Sequence, residues 1–178
     1  MRYQTIPNTD LDVSSVCLGL ANIGVKNTEE EGMMLLDAFV EAGGNFIDTA
    51  RVYSNWIPGE VNRSERIIGD WLVDRDVRDR VVVATKGGHP DLVDNIPRLS
   101  PDEMETDLQG SLDKLQTDVV DLYYLHRDDT HRSVAEMLDV LHHFQQSGRV
   151  RYYACSNWTP QRMQEAREYA KAQGYTGF

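Results

Sequence analysis

The chain has 178 residues, enough for one sizeable core, and its 40% hydrophobic and 26% charged residues are those of a globular protein. A net charge of -11 argues against nucleic acid or an anionic membrane as the main partner, while leaving room for a local basic pocket. No run approaches the roughly 20 apolar residues of a membrane helix. The opening MRYQTIPNTD has no apolar leader core, so a cytoplasmic protein is expected. Cys17 and Cys155 lie far apart inside apolar runs and read as small buried residues in a reducing compartment, not as a disulfide frame.

The elements follow in chain order. YQTIP, a turn at Asn8-Thr9-Asp10 and LDVSS predict a short hairpin. VCLGL (16–20) is a short continuous apolar run. Thr28, with Glu31 three residues on, opens a helix that runs to Ala42 and stops at Gly43-Gly44. Its apolar positions Met34, Leu35, Ala38 and Phe39 have helical spacing. NFIDTA (45–50) is the second strand, and a loop then leads to a helix from Ser64 to about Val73. RVVVATKGG (80–88) is the third strand. Ser100-Pro101 with Glu103 caps a helix to Leu115. VVDLYYLH (119–126) is the fourth strand, and a helix from Ser133 to Gln146 follows it. VRYYACSN (150–157) is the fifth strand. Thr159 caps a last helix to about Gln173, closed by Gly174.

Repeated βα units imply a parallel sheet with helical crossovers, and the absence of a linker implies one domain over 1–178. Two architectures compete, and spacing alone favours a doubly wound sheet. A doubly wound sheet needs about this length, and a (β/α)8 barrel about 250 residues. The glycine fingerprint of the doubly wound fold is missing after the first strand.

One pattern carries chemistry. The stretch GGNFIDTARVYSNW ends a buried-looking strand in Asp48 and sets Tyr53 five residues later. The third strand ends in Lys86, the fourth in His126, and the fifth in Ser156-Asn157. In parallel α/β folds these ends share one face, where sites are built. Asp48 and Lys86 can neutralise each other in a dry site. An ammonium near the Tyr53 hydroxyl would favour phenolate and tune the tyrosine as a proton donor. His126 could bond a substrate oxygen, and Ser156 and Asn157 could hold an amide-bearing ligand. Taken singly, each has a plainer explanation: Asp48 as a loop cap, Tyr53 as a loop liner, Lys86 as a solvated turn residue, His126 as a structural histidine. His89 and His131 are loop residues without evident partners. A metal hydrolase would need more His and carboxylate ligands, and Lys86 would repel the ion. A Schiff-base lysine is the better rival, although pairing with Asp48 would keep Lys86 protonated.

FIDTARVY, RSERIIGDWL, VVVATKGG, VDLYYLHRDD and GRVRYYACSNW together resemble the aldo-keto reductase family, in order and through nearly the whole chain. The resemblance implies a (β/α)8 TIM-barrel type fold, present here as its first five βα units behind the short N-terminal β-hairpin. It implies reduction of small aldehydes, ketones or sugar-like carbonyl compounds with NADP(H), or less often NAD(H). It puts Asp48, Tyr53, Lys86 and His126 on the family's catalytic tetrad, with Tyr53 as proton donor, Lys86 paired to Asp48 and His126 orienting the substrate. Asp48, Ser156 and Asn157 fall on cofactor-binding positions, the last two at the nicotinamide carboxamide. No metal is implied.

The family's sixth to eighth units, with most pyrophosphate contacts, lie beyond the match. Five strands of an eight-stranded barrel cannot close. The expectation is therefore a piece of a longer chain. The other outcomes are an open half-barrel and self-association through free sheet edges. A non-catalytic half-barrel interaction module of the same ancestry is the alternative to an enzyme.

Overall fold

The computed structural model describes residues 1–57 and 59–178. β1 (Tyr3–Thr5) and β2 (Asp12–Ser14) form the expected antiparallel hairpin, with Tyr3 opposite Ser14. The βα units then follow: β3 (Cys17–Gly19), α1 (Glu29–Glu41), β4 (Phe46–Asp48), α2 (Arg63–Arg75), β5 (Val82–Gly87), α3 (Pro101–Leu115), β6 (Val120–Leu125), α4 (Val134–Gln146), β7 (Val150–Cys155) and α5 (Pro160–Gln173). The five strands are parallel and lie in the sheet in chain order, β3-β4-β5-β6-β7. A doubly wound sheet would reverse its order at a switch point. This one does not, and it is a partial (β/α) barrel.

Local chemistry sets the helix starts. The Thr28 hydroxyl accepts from the Glu31 N–H and the Glu31 carboxylate answers to the Thr28 N–H; Ser100 and Glu103 repeat the exchange on α3. Ser133 and Thr159 cap α4 and α5 in the same sense.

Alternation along the strands divides the core into two layers. One face, with Ile47, Val83, Tyr123 and Leu125, packs against the helices, where Trp71, Leu108, Leu138 and Phe144 are buried. The other face, with Val82, Ala84 and Leu122, packs with Leu11 and Val13 of the hairpin side. Phe46, Tyr124, Tyr152 and Ala154 lie against that second layer. In register, Asp48 pairs with Ala84, and Lys86 with Tyr124. The period of two thus turns Asp48 and Lys86 to the same concave face as Ala84.

Two expectations change. In α1 the buried residues are Gly32 and Leu36, with Met33, Phe39 and Val40 partly covered; Met34 and Leu35 are exposed. The cause is close approach. A Cβ at Gly32 would stand 2.6 Å from Ile23 Cγ1, so the glycine lets the helix meet that loop. With the Gly32–Leu36 stripe inward, residues 34 and 35 are rotated outward. Cys17 is exposed and Cys155 half-buried. β3 is an outer strand of the sheet, so no strand covers the Cys17 flank.

Candidate active site

The C-terminal strand ends gather the polar residues as the alternation predicts. Lys86 is buried, and its Nζ donates to Asp48 Oδ1 at 2.6 Å and to the Thr49 carbonyl at 2.8 Å. A buried ammonium is tolerable only with such a counter-charge and acceptor. The same Nζ stands 4.7 Å from the centroid of the Tyr53 ring and 5.8 Å from that of Tyr124. Tyr53 enters from the turn after β4, where its N–H bonds to the Ala50 carbonyl at 3.0 Å. The Arg51 N–H bonds to the Lys86 carbonyl at 3.0 Å, which ties that turn to β5.

His126 follows β6 and is buried. Its ring meets the edge of Tyr53 with centroids 5.7 Å apart. Burial is the main cause that drives its pKa down to about 3; His89, Lys86 and Arg127 add like-charge repulsion. His126 is therefore a neutral imidazole, able to donate one hydrogen bond and accept another. Its Nδ1 is buried without a partner among the described residues.

Ser156 and Asn157 close the row after β7. The Asn157 amide nitrogen donates to the His126 carbonyl at 3.0 Å and to Ser156 Oγ at 2.8 Å. These bonds hold the pair beside His126 rather than away from it. Asn157 has φ 63°, a left-handed conformation that asparagine tolerates better than most residues. All six residues singled out from the sequence are thus brought to one end of the sheet.

Three contributors were not foreseen. His89 was read as a loop residue without partners. Its ring instead packs edge-on against His126, centroids 4.8 Å apart, with Nδ1 2.8 Å from the Pro90 carbonyl. The Thr49 carbonyl carries no side-chain signature at all. Tyr124 lies in VVDLYYLH with nothing in the sequence to set it apart from its neighbour Tyr123. A cavity of 240 Å³ opens beside Lys86 and His89, with Arg51, Asn55, Arg98 and Asp107 on its wall. A larger hollow, 510 Å³, lies near Arg78 and Asp118 at the opposite ends of the strands, away from these groups. Among the described residues no cluster of His, Cys, Asp and Glu could hold a metal ion.

Comparison with known proteins identifies the family. The model of the aldo/keto reductase family matches residues 15–176. The chain belongs to that family. It is 37% identical to the aldo-keto reductase ausK of Aspergillus calidoustus, over 99% of this chain and 47% of that protein. It is 35% identical to the norsolorinic acid reductase stcV of Emericella nidulans, over 97% of this chain and 46% of that one. It is 34% identical to an aryl-alcohol dehydrogenase [NADP(+)] of Phanerodontia chrysosporium, over 98% of this chain and 49% of that one. This aldo/keto reductase chain therefore spans about half the length of the curated relatives it matches. Among the described residues, no helix is long and apolar enough to cross a membrane.

Proposed function

We propose that the chain carries the proton-transfer part of an NADP(H)-dependent carbonyl reductase, acting on small aldehydes, ketones or sugar-like compounds. One observation carries this: a buried lysine amine, held by Asp48 at 2.6 Å, stands 4.7 Å from the centre of a tyrosine ring that His126 also touches. Family membership supports the reaction type. The NADP(+) in the name of the Phanerodontia chrysosporium relative favours NADP(H) over NAD(H). The aryl-alcohol in the name of that same relative favours aryl carbonyl compounds among the substrates.

The residues fit the carboxamide end of a nicotinamide cofactor. The Ser156 hydroxyl can donate to an amide carbonyl, and the Asn157 side-chain oxygen can accept from an amide NH2. The fit stops short of the phosphates, because Arg51 and Arg98 are both paired to Asp107. A bound nicotinamide would supply a hydride to the carbonyl carbon. Tyr53 gives its hydroxyl proton to the carbonyl oxygen. The Lys86 ammonium stabilises the phenolate left behind, and Asp48 holds that ammonium in position. His126 stays neutral and hydrogen-bonds the substrate oxygen, which orients the carbonyl without adding a competing charge.

The test uses the 178-residue chain itself. NADPH is titrated against tryptophan fluorescence, and NADPH consumption is then followed with an aryl aldehyde. Saturable quenching with aldehyde-dependent consumption, lost in Tyr53→Phe without loss of quenching, is expected. Turnover retained in Tyr53→Phe removes Tyr53 from the donor role. A second reading, a non-catalytic interaction module of the same ancestry, is favoured by the one-sided pairing of the outer strands β3 and β7. Unchanged fluorescence at about millimolar NADPH would support it, since nucleotide sites work well below that range.

A further inference from the structure

The chemistry above uses one face of β5. The other face carries a second polar cluster, buried and unused. Glu65 of α2 is fully buried, and its Oε1 accepts from the Thr85 hydroxyl at 2.6 Å. Its Oε2 has no hydrogen-bond partner among the described residues, nor have the buried Ser111 Oγ and Tyr123 Oη. Asp107 of α3 accepts from the Gly88 N–H at 2.8 Å and pairs with Arg51 at 3.2 Å and Arg98 at 2.9 Å. Residues 85–88 are thus held from the helix side by two buried carboxyl groups. On the opposite face of the strand the Lys86 amine is held by Asp48 and Thr49.

We propose that Glu65 is a positioning residue for Lys86, fixing through Thr85 the end of the strand that carries the amine to Asp48 and the Tyr53 ring. This rests on the role proposed above for Lys86, although the geometry it describes needs no turnover. Thr85 and Lys86 are consecutive strand residues with side chains on opposite faces. Any displacement that Glu65 imposes on Thr85 therefore pivots the base of Lys86.

The clamp has two states. Burial pushes the Glu65 carboxyl up to about 7; the Thr85 and Ser111 hydroxyls and Arg51 pull it down, and Asp107 adds repulsion. Protonated, Glu65 is a neutral acceptor for Thr85. Ionised, it competes with Asp107 for Arg51, whose Nε is buried without a partner among the described residues. Arg51 is also the residue whose backbone N–H meets the Lys86 carbonyl. The groups that face Glu65 are Thr85 of β5, Asp107 and Ser111 of α3, Arg51 of the turn after β4, and Tyr123 of β6. Burial, with Asp107 and Glu65, keeps Tyr123 a neutral phenol. On the α1 side, Glu29 and Asp37 are taken up by Arg63, Arg66, Arg75 and Trp71 and do not reach the cluster.

The test reads Lys86 directly. The chain is labelled with 13C-lysine, and the Lys86 ε-carbon signal is assigned by its loss in Lys86→Met. It is followed from about pH 5 to about pH 9, the window in which a carboxyl with a midpoint near 7 changes state. A single step near neutrality is expected in the unmodified chain, absent in Glu65→Gln, which keeps the acceptor for Thr85 and cannot ionise. Thr85→Val, which cuts the link and leaves Glu65 in place, should also lose the step. A flat curve in the unmodified chain overturns the proposal, and so does a step that survives in either variant. If Glu65→Gln does not fold, Thr85→Val decides alone. Since no turnover enters, an inactive chain leaves the outcome readable, and a failed clamp leaves the reductase proposal standing.

Discussion

Replacing His126 by asparagine should change how stability depends on pH, by an amount set by where the ring sits. In the folded chain the imidazole pKa is lowered from 6.5 to about 3, chiefly by burial. A depressed folded value means that stability is fully present above the unfolded pKa and is lost as pH falls from 6.5 toward 3. At about pH 4.5 the unfolded ring is charged and the folded one is not, two pH units below the unfolded value, or roughly 2.7 kcal/mol. Incomplete burial of the ring lets solvent screen it and reduces this to about 1.5 kcal/mol. Urea unfolding of the natural chain and of His126→Asn, at about pH 7.5 and about pH 4.5, measures the difference with every other titrating group common to both. The natural chain should lose about 1.5 kcal/mol more than the variant on acidification. Equal losses would refute the reasoning, as would an NMR titration of the His126 ring with a midpoint near its ordinary value. The functional stake is direct, because a charged His126 would set a second cation beside Lys86.

The other expectations concern neighbouring features. Glu65 is the opposite case: its folded pKa is raised from 4.5 to about 7, so stability is present below 4.5 and lost as pH rises through 7. Glu65→Gln should abolish that fall and leave the chain about 3 kcal/mol more stable than the natural one at alkaline pH, measured by urea unfolding. Gly69→Ala should destabilise by about 2 kcal/mol or more, seen as a lower thermal midpoint. Its Cβ would overlap the Lys114 carbonyl oxygen and come within 2.9 Å of the Leu115 backbone, where α2 meets α3. Cys17 is exposed, yet burial of the thiol, with Asp48 adding to it and Lys86 opposing, pushes its pKa from 9.0 up to about 11. Iodoacetamide should therefore label it about 100-fold more slowly near neutral pH than an unperturbed thiol, and a rate equal to that of free cysteine would contradict this. In any active form, Tyr53→Phe should cost at least about 100-fold in kcat, the usual scale for losing a positioned proton donor, with cofactor quenching retained.

Short-range chemistry is legible in the sequence itself. Thr28 with Glu31 and Ser100-Pro101 with Glu103 announce helix starts, because a capping hydroxyl and a returning carboxylate lie within one turn. Asp48, Lys86 and His126 at the ends of apolar runs announce a polar strand-end face, because parallel βα units have only one such face. What needed the third dimension was everything set by elements distant along the chain. Spacing alone favours a doubly wound sheet, against the barrel that the family resemblance implies, and the strand order β3-β4-β5-β6-β7 decides for the barrel. The rotation of α1 followed from Gly32 meeting Ile23, a contact that periodicity does not encode. His89 joined the site because a loop folds it against a histidine 37 residues away. Glu65 lay in plain sight in RSERIIGDWL as one more helical carboxylate. Burial turned it into a group with a pKa near neutrality, and burial depends on which helix face the sheet covers. Sequence carries the alternation and the caps because they act over a few residues. Dielectric surroundings and close approach belong to the assembled layers, so only the tertiary structure decides them.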